Sequence, residues 1–262
     1  MDIKNRKVGK LCVKEYDSRL EMGQDAAQIA SSKVEELLAK QEKVRVIFAS
    51  APSQNEFLEE LIKSPKIDWS RIEVFHMDEY IGLDTHHSQS FATFLRKKLF
   101  NKVQVQEFHY IQGSQKDTLK ECQRYARLLK ESPIDIVFMG IGENTHIAFN
   151  EPHIADFDDP FLVKIVDLDA KSRQQQVNDG CFQTLEAVPT HAITLTIPAL
   201  MNAKYVYCMV PGPTKKQAVY KTLMEPVTSL YPSTILREHE NAILFIDKES
   251  AANIDIEYNE GL

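Results

Sequence analysis

Along most of the chain, short runs of consecutive apolar residues alternate with longer stretches in which apolar residues return every third or fourth position. VRVIFAS at residues 44–50 is a short β-branched run of the kind expected of a buried strand. Residues 18–40 before it carry Ala26, Ala30, Val34 and Leu37 at helical spacing, opened by Ser18 and Glu21 in a capping-box pattern. Ser53 and Glu56 form a second such pair at the start of a helix over residues 55–63. The alternation continues with strands at 72–77, 108–111 and 134–139 and helices at 90–100 and 117–130. After a polar stretch it resumes with strands at 192–196 and 205–210, a helix at 214–224 and a strand at 242–246.

Strands separated by helices of this length predict βαβ crossovers, hence a single α/β domain spanning residues 1–262: a Rossmann-like, doubly wound, mainly parallel sheet with helices on both faces. In such a sheet the ligand site lies beyond the carboxyl ends of the strands. Residues 156–186 form the one long stretch with no clear strand, and a polar segment of that length in a compact domain reads as a lid.

Composition narrows the class. A chain of 262 residues that is 43% hydrophobic can bury a full core. A formal net charge of −7 with no basic cluster argues against a nucleic-acid surface. No membrane-spanning apolar run occurs, and the first ten residues lack the apolar core of a signal peptide, so a cytoplasmic protein is expected. Cys12, Cys122, Cys181 and Cys208 show no CxxC spacing, which points to reduced, mostly buried thiols and not to a metal site or a disulfide framework.

Four stretches with chemical potential follow strands. FHMDEYIGL, residues 75–83, passes from an apolar run into the adjacent carboxylates Asp78, placed where a general base would sit, and Glu79, expected to bind substrate. MGIGENTHIAFNEP, residues 139–152, turns on Gly140 and Gly142 and then presents His146, the residue type that titrates nearest neutrality, and Glu151. Thr145 stands where a dinucleotide fingerprint would need its third glycine. VPGPTKKQAV, residues 210–219, joins a glycine turn, a helix start and Lys215 into the outline of an anion site. DAKSRQQQ, residues 169–176, offers Arg173 from the lid as a bidentate phosphate clamp.

Taken together, FHMDEYIGL, GIGENTHIAFNEP and PGPTKK, in this order and at these separations, resemble the glucosamine-6-phosphate deaminase (isomerase) family from about Val44 to the last strand. The resemblance implies that Asp78 moves a proton between C2 and C1 of the sugar. It implies that His146 opens the ring and that Glu151 supports this histidine. Lys215 and Arg173 match the phosphate ligands. Isomerisation and deamination of a hexosamine 6-phosphate, foremost glucosamine 6-phosphate, is the expected activity, with a small sugar phosphate as partner and neither metal nor organic cofactor. Both monomers and homo-oligomers occur among the proteins resembled.

Two departures stand out. Asn144 replaces the usual aspartate two positions before the histidine, so it can hold the tautomer but supplies no charge. The first loop, ASAPSQNEF at residues 49–57, has no glycine, leaving Ser50 and Ser53 to meet the substrate. These departures keep two alternatives in view: a 6-phosphogluconolactonase-type hydrolase, and a sugar-phosphate-binding protein with weakened catalysis.

Overall fold

The computed structural model describes residues 4–178 and 180–254. Eight strands form the main sheet. In chain order they are β1 (Lys4–Val8), β2 (Leu11–Tyr16), β3 (Val44–Phe48), β4 (Ile72–His76), β6 (Glu107–His109), β7 (Ile136–Met139), β10 (Tyr205–Val210) and β11 (Ala242–Asp247). A smaller sheet holds β5 (Asp78–Tyr80), β8 (Val163–Asp167) and β9 (His191–Leu195). The helices are α1 (Arg19–Leu38), α2 (Asn55–Leu61), α3 (Phe91–Leu95), α4 (Thr118–Lys130), α5 (Ala170–Asn178), α6 (Ile197–Met201), α7 (Lys216–Met224) and α8 (Lys248–Ala251).

The main sheet runs β1-β2-β11-β10-β7-β3-β4-β6, and every pairing in it is parallel except the β1–β2 hairpin. Successive residues of β3 serve opposite faces, as strand geometry requires. Ile47 joins the core packed by α4, α6 and α7, while Val46 and Phe48 join the core packed by α1, α2 and α3. The expected doubly wound, mainly parallel architecture is therefore present.

Two readings need correction. The strand expected near residues 192–196 does not extend the parallel sheet: β9 pairs antiparallel with β5 and β8 in the second sheet. The segment expected to lack a strand, residues 156–186, contains β8 and α5. β8 eluded the sequence pattern because only Val163 and Val166 of its five residues are buried, so pairing with β9, and not an apolar run, creates it. The hairpin β1–β2 went unread for a related reason. Its edge strand is rich in lysine and arginine, with Lys4 and Arg6 paired to the buried Glu15 of β2.

Among the described residues no helix is long and apolar enough to cross a membrane. All four cysteines are free; Cys122 and Cys208 are buried, whereas Cys12 and Cys181 are partly exposed.

The chain builds outward from β3 through β4 to β6, then returns to β7 on the other side of β3 and continues to β10 and β11. The loops after β3 and β7 consequently diverge, which opens a crevice at the carboxyl ends of the central strands.

Candidate active site

A cavity of about 500 Å³ occupies that crevice. Ser50 and Ser53 reach it from the loop after β3, Asp78 from the start of β5 just after β4, Gly142 and His146 from the loop after β7, and Lys215 from the turn after β10. One sheet edge thus gathers residues 165 positions apart in the chain.

The histidine turn is tightly wound. Gly142 N–H donates to His146 O at 2.9 Å, and Thr145 and Ala148 take up φ values of 70° and 50°, a conformation uncommon for residues with a Cβ and frequent at functional sites. Gly142 is needed for contact, not for φ: a Cβ there would lie 2.1 Å from His146 Cε1, so the ring rests directly on the glycine. His146 Nδ1 is 2.6 Å from Asn144 Oδ1. An amide oxygen only accepts, so Nδ1 carries the proton and Nε2 is left as an acceptor. Burial, reinforced by the Lys215 ammonium, pushes His146 down to about 3 and keeps the ring neutral. Asn144 thereby holds the tautomer that an aspartate would hold, without favouring an imidazolium.

Asp78 and Glu79 are neighbours in sequence with separate surroundings. Their places are set by the register of β5 against β9, in which Asp78 faces Thr194 and Glu79 faces Ile193. Asp78 lines the cavity, and burial together with the like charge of Glu79 raises its carboxyl well above the usual range. Glu79, expected to bind substrate, points away from the cavity. Its oxygens accept from Tyr80 N–H at 3.0 Å, Phe91 N–H at 3.1 Å and Ala92 N–H at 3.1 Å, which ties β5 to the start of α3. Burial lifts it to about 7 against the pull of those amides. Strand alternation turns consecutive side chains to opposite faces, which is why only one of the two serves the cavity.

Glu151 is fully buried and stands one residue removed from the histidine it was expected to support. Its Oε2 accepts from Asp169 N–H at 3.0 Å, Asp169 Oδ1 accepts from Ser172 N–H at 2.7 Å, and Ser172 Oγ is 3.3 Å from His146 Nδ1. Ser172 is therefore the intermediary. Sequence reasoning missed it, although it sits beside the chosen Arg173 and follows Asp169 at the three-residue spacing of a helix cap.

Arg173 corrects a second expectation. Its guanidinium donates to Leu185 O at 2.6 Å and to Val188 O at 3.0 Å, so it closes the turn after α5 and lies outside the cavity lining. The same helix presents Gln175 and Gln176 to the cavity instead. Lys215, buried at 8% exposure, does line it. The turn that carries it pivots on Gly212, at φ 95°, whose N–H is held by the buried Asp247 at 3.0 Å. Gln54, unnoticed in the sequence, bridges the loop after β3 to Met139 O and Met209 O, each at 3.3 Å.

Glu151, His153 and Asp169 offer ligand atoms within 4.8 Å of one another, the one such cluster among the described residues. None of the three lines the cavity.

Known proteins fit this arrangement. The family model described as glucosamine-6-phosphate isomerases/6-phosphogluconolactonase matches residues 17–245. The chain is 32% identical to a glucosamine-6-phosphate deaminase of Streptococcus uberis over 90% of this chain and 98% of that protein. It is 35% identical to one of Staphylococcus epidermidis over 74% of this chain and 80% of that protein. A monomeric glucosamine-6-phosphate deaminase superposes with a TM-score of 0.84 at 25% identity, covering 92% of this chain and 98% of that one. A 6-phosphogluconolactonase of Thermotoga maritima shares the fold, with a TM-score of 0.73 at 22% identity over 91% of this chain and 100% of that one. With a family model matched over most of its length and relatives above 30% identity, the chain belongs to the glucosamine-6-phosphate isomerase/6-phosphogluconolactonase family of enzymes.

Proposed function

We propose that this enzyme isomerises and deaminates a hexosamine 6-phosphate, foremost glucosamine 6-phosphate, to fructose 6-phosphate and ammonia. One observation carries the reading: Asp78 and His146 face a single cavity that Lys215 also lines.

The chemistry asks for three things. Opening the pyranose requires a group that takes a proton from the anomeric hydroxyl and returns one to the ring oxygen, and a neutral imidazole with Nε2 free to accept has the right form. Moving the C2 proton to C1 requires one carboxyl that alternates between base and acid. Asp78, raised by burial and by Glu79, is a stronger base when ionised and holds the proton more readily once it has it. The shift leaves C2 as an imine, to which water adds, and the carbinolamine expels ammonia as the C2 ketone forms. Lys215 supplies charge for the phosphate, whose binding energy orients the sugar. Ser172 and Asn144 keep the ring of His146 in place.

Such a substrate is a charged metabolite that does not cross membranes unaided, so the proposed location is cytoplasmic. Ammonia release from purified protein supplied with several hexosamine 6-phosphates tests the proposal. Release from at least one, reduced about 10² to 10⁴-fold in Asp78→Asn, is expected. No release from any of them sinks it, and a hexose phosphate that raises the melting temperature without being consumed would favour a binding protein.

A further inference from the structure

The anionic end of the substrate needs more than Lys215, and Arg173 is committed to backbone carbonyls. We propose that Arg19, at the first turn of α1, is the guanidinium that binds the substrate phosphate. This rests on the sugar-phosphate reading above and deepens it by naming a ligand outside the four stretches read for chemistry in the sequence.

Arg19 lines the cavity together with Ser53 and Lys215. It is held there by Glu56, with Nε 2.7 Å from Oε1 and Nη2 2.8 Å from Oε2, and by Pro52 O at 3.3 Å from Nη2. Among the described residues its other terminal nitrogen, Nη1, makes no hydrogen bond, so a donor remains for a ligand. The side chain is 42% exposed, on the cavity side of the pair it forms.

Helix packing explains its position. Gly23 lies one turn after Arg19 on the same face of α1. A Cβ at Gly23 would come within 2.7 Å of Glu56 Cβ and 2.9 Å of Phe57 N, so α1 touches the start of α2 at the glycine. That close approach brings Arg19 against residues 52–56, the segment that supplies Ser53. Glu56 then acts as the brace of the guanidinium, leaving Nη1 as the donor to a phosphate oxygen.

Binding of fructose 6-phosphate, read as a melting-temperature shift and by calorimetry, separates this role from a structural one. Arg19→Gln is expected to weaken binding on the order of 10-fold, the size of one lost charge-assisted hydrogen bond at a partly exposed site. Glu56→Gln breaks the same ion pair but keeps the cation, so it should bind within about threefold of wild type. Arg173→Gln should lower the melting temperature and leave affinity unchanged. In turnover, Arg19→Gln should raise KM for the 6-phosphate, with little effect on kcat. Equal losses in Arg19→Gln and Glu56→Gln, or undiminished binding by Arg19→Gln, would overturn the assignment. A phosphate-dependent loss confined to Arg173→Gln would overturn it as well. Failure of the wild type to bind any hexose phosphate would defeat the underlying functional reading instead, and the assignment with it.

Discussion

Gly142→Ala is the sharpest perturbation the site offers. The new methyl would sit 2.1 Å from His146 Cε1 and 2.3 Å from both Nδ1 and Nε2, whereas carbon contacts are comfortable at about 3.5–4.0 Å. The ring must therefore retreat by roughly 1.5 Å, which cannot happen without breaking the 2.6 Å bond from Nδ1 to Asn144 Oδ1. Gly142 is not among the glycines at positive φ, so alanine brings no backbone strain, and the clash with the ring stands alone. Misplacement of a catalytic group by about 1 Å costs on the order of 10² in rate, or about 2.7 kcal/mol of transition-state stabilisation. An overpacked site of this kind also costs about 1–3 kcal/mol of stability. Ammonia release gives the first quantity and denaturant unfolding the second. The decisive comparison is a double-mutant cycle with His146→Ala, because removing the ring removes the obstacle and the stability cost of Gly142→Ala should vanish. Activity within threefold of wild type, or an unchanged stability cost in the His146→Ala background, would refute the contact.

Further outcomes follow from the same geometry. Asn144→Asp places a carboxylate on Nδ1 and should raise His146 from its depressed value toward the ordinary imidazole range, which the ring's NMR titration reads directly; an unmoved titration would count against the tautomer argument. Glu79→Gln turns an amide group toward at least one of three backbone donors and should cost about 1–3 kcal/mol of stability, while KM stays within a few-fold. It also removes the like charge beside Asp78, so the limb set by Asp78 moves to lower pH; a tenfold rise in KM would restore Glu79 to substrate binding. Stability should respond to acid in two regimes. His76, buried with Nε2 accepting from Ile111 N–H at 2.7 Å, and His146 are both held down to about 3, so their contribution is complete above the ordinary value near 6.5 and is lost as pH falls toward 3. Glu79, lifted to about 7, and Asp78, raised well above its usual range, work the other way: their contribution is full below the ordinary carboxyl values of about 4 and is lost as pH rises through the raised ones, so two carboxyls offset two histidines. Melting temperatures should change little between about pH 4.5 and 6.5 and fall steeply below; a melting temperature that climbs from pH 4.5 to 3 would contradict this balance.

Much of the molecule is written in local pattern. The apolar runs that become β3, β4, β7, β10 and β11 are long enough to be strands only if buried on both faces, and the helical spacing of α1 and α4 leaves them one buried face each. Asp78, His146 and Lys215 were legible because each follows such a run, and a doubly wound sheet brings strand ends together. What local pattern does not hold is sidedness and partnership. Nothing in the order of Asp78 and Glu79 tells which faces the cavity; the β5–β9 register decides it. Nothing in DAKSRQQQ ranks Arg173 against Gln175 and Gln176; the seating of α5 over residues 185–188 turns the arginine outward and the amides inward. Ser172 gains its meaning only because, through Asp169, it links Glu151 to His146, and Arg19 only because Gly23 lets two helices touch. Secondary structure follows from spacing within a dozen residues, but the direction of a side chain relative to a cavity depends on neighbours far away in the chain, and only tertiary packing supplies them.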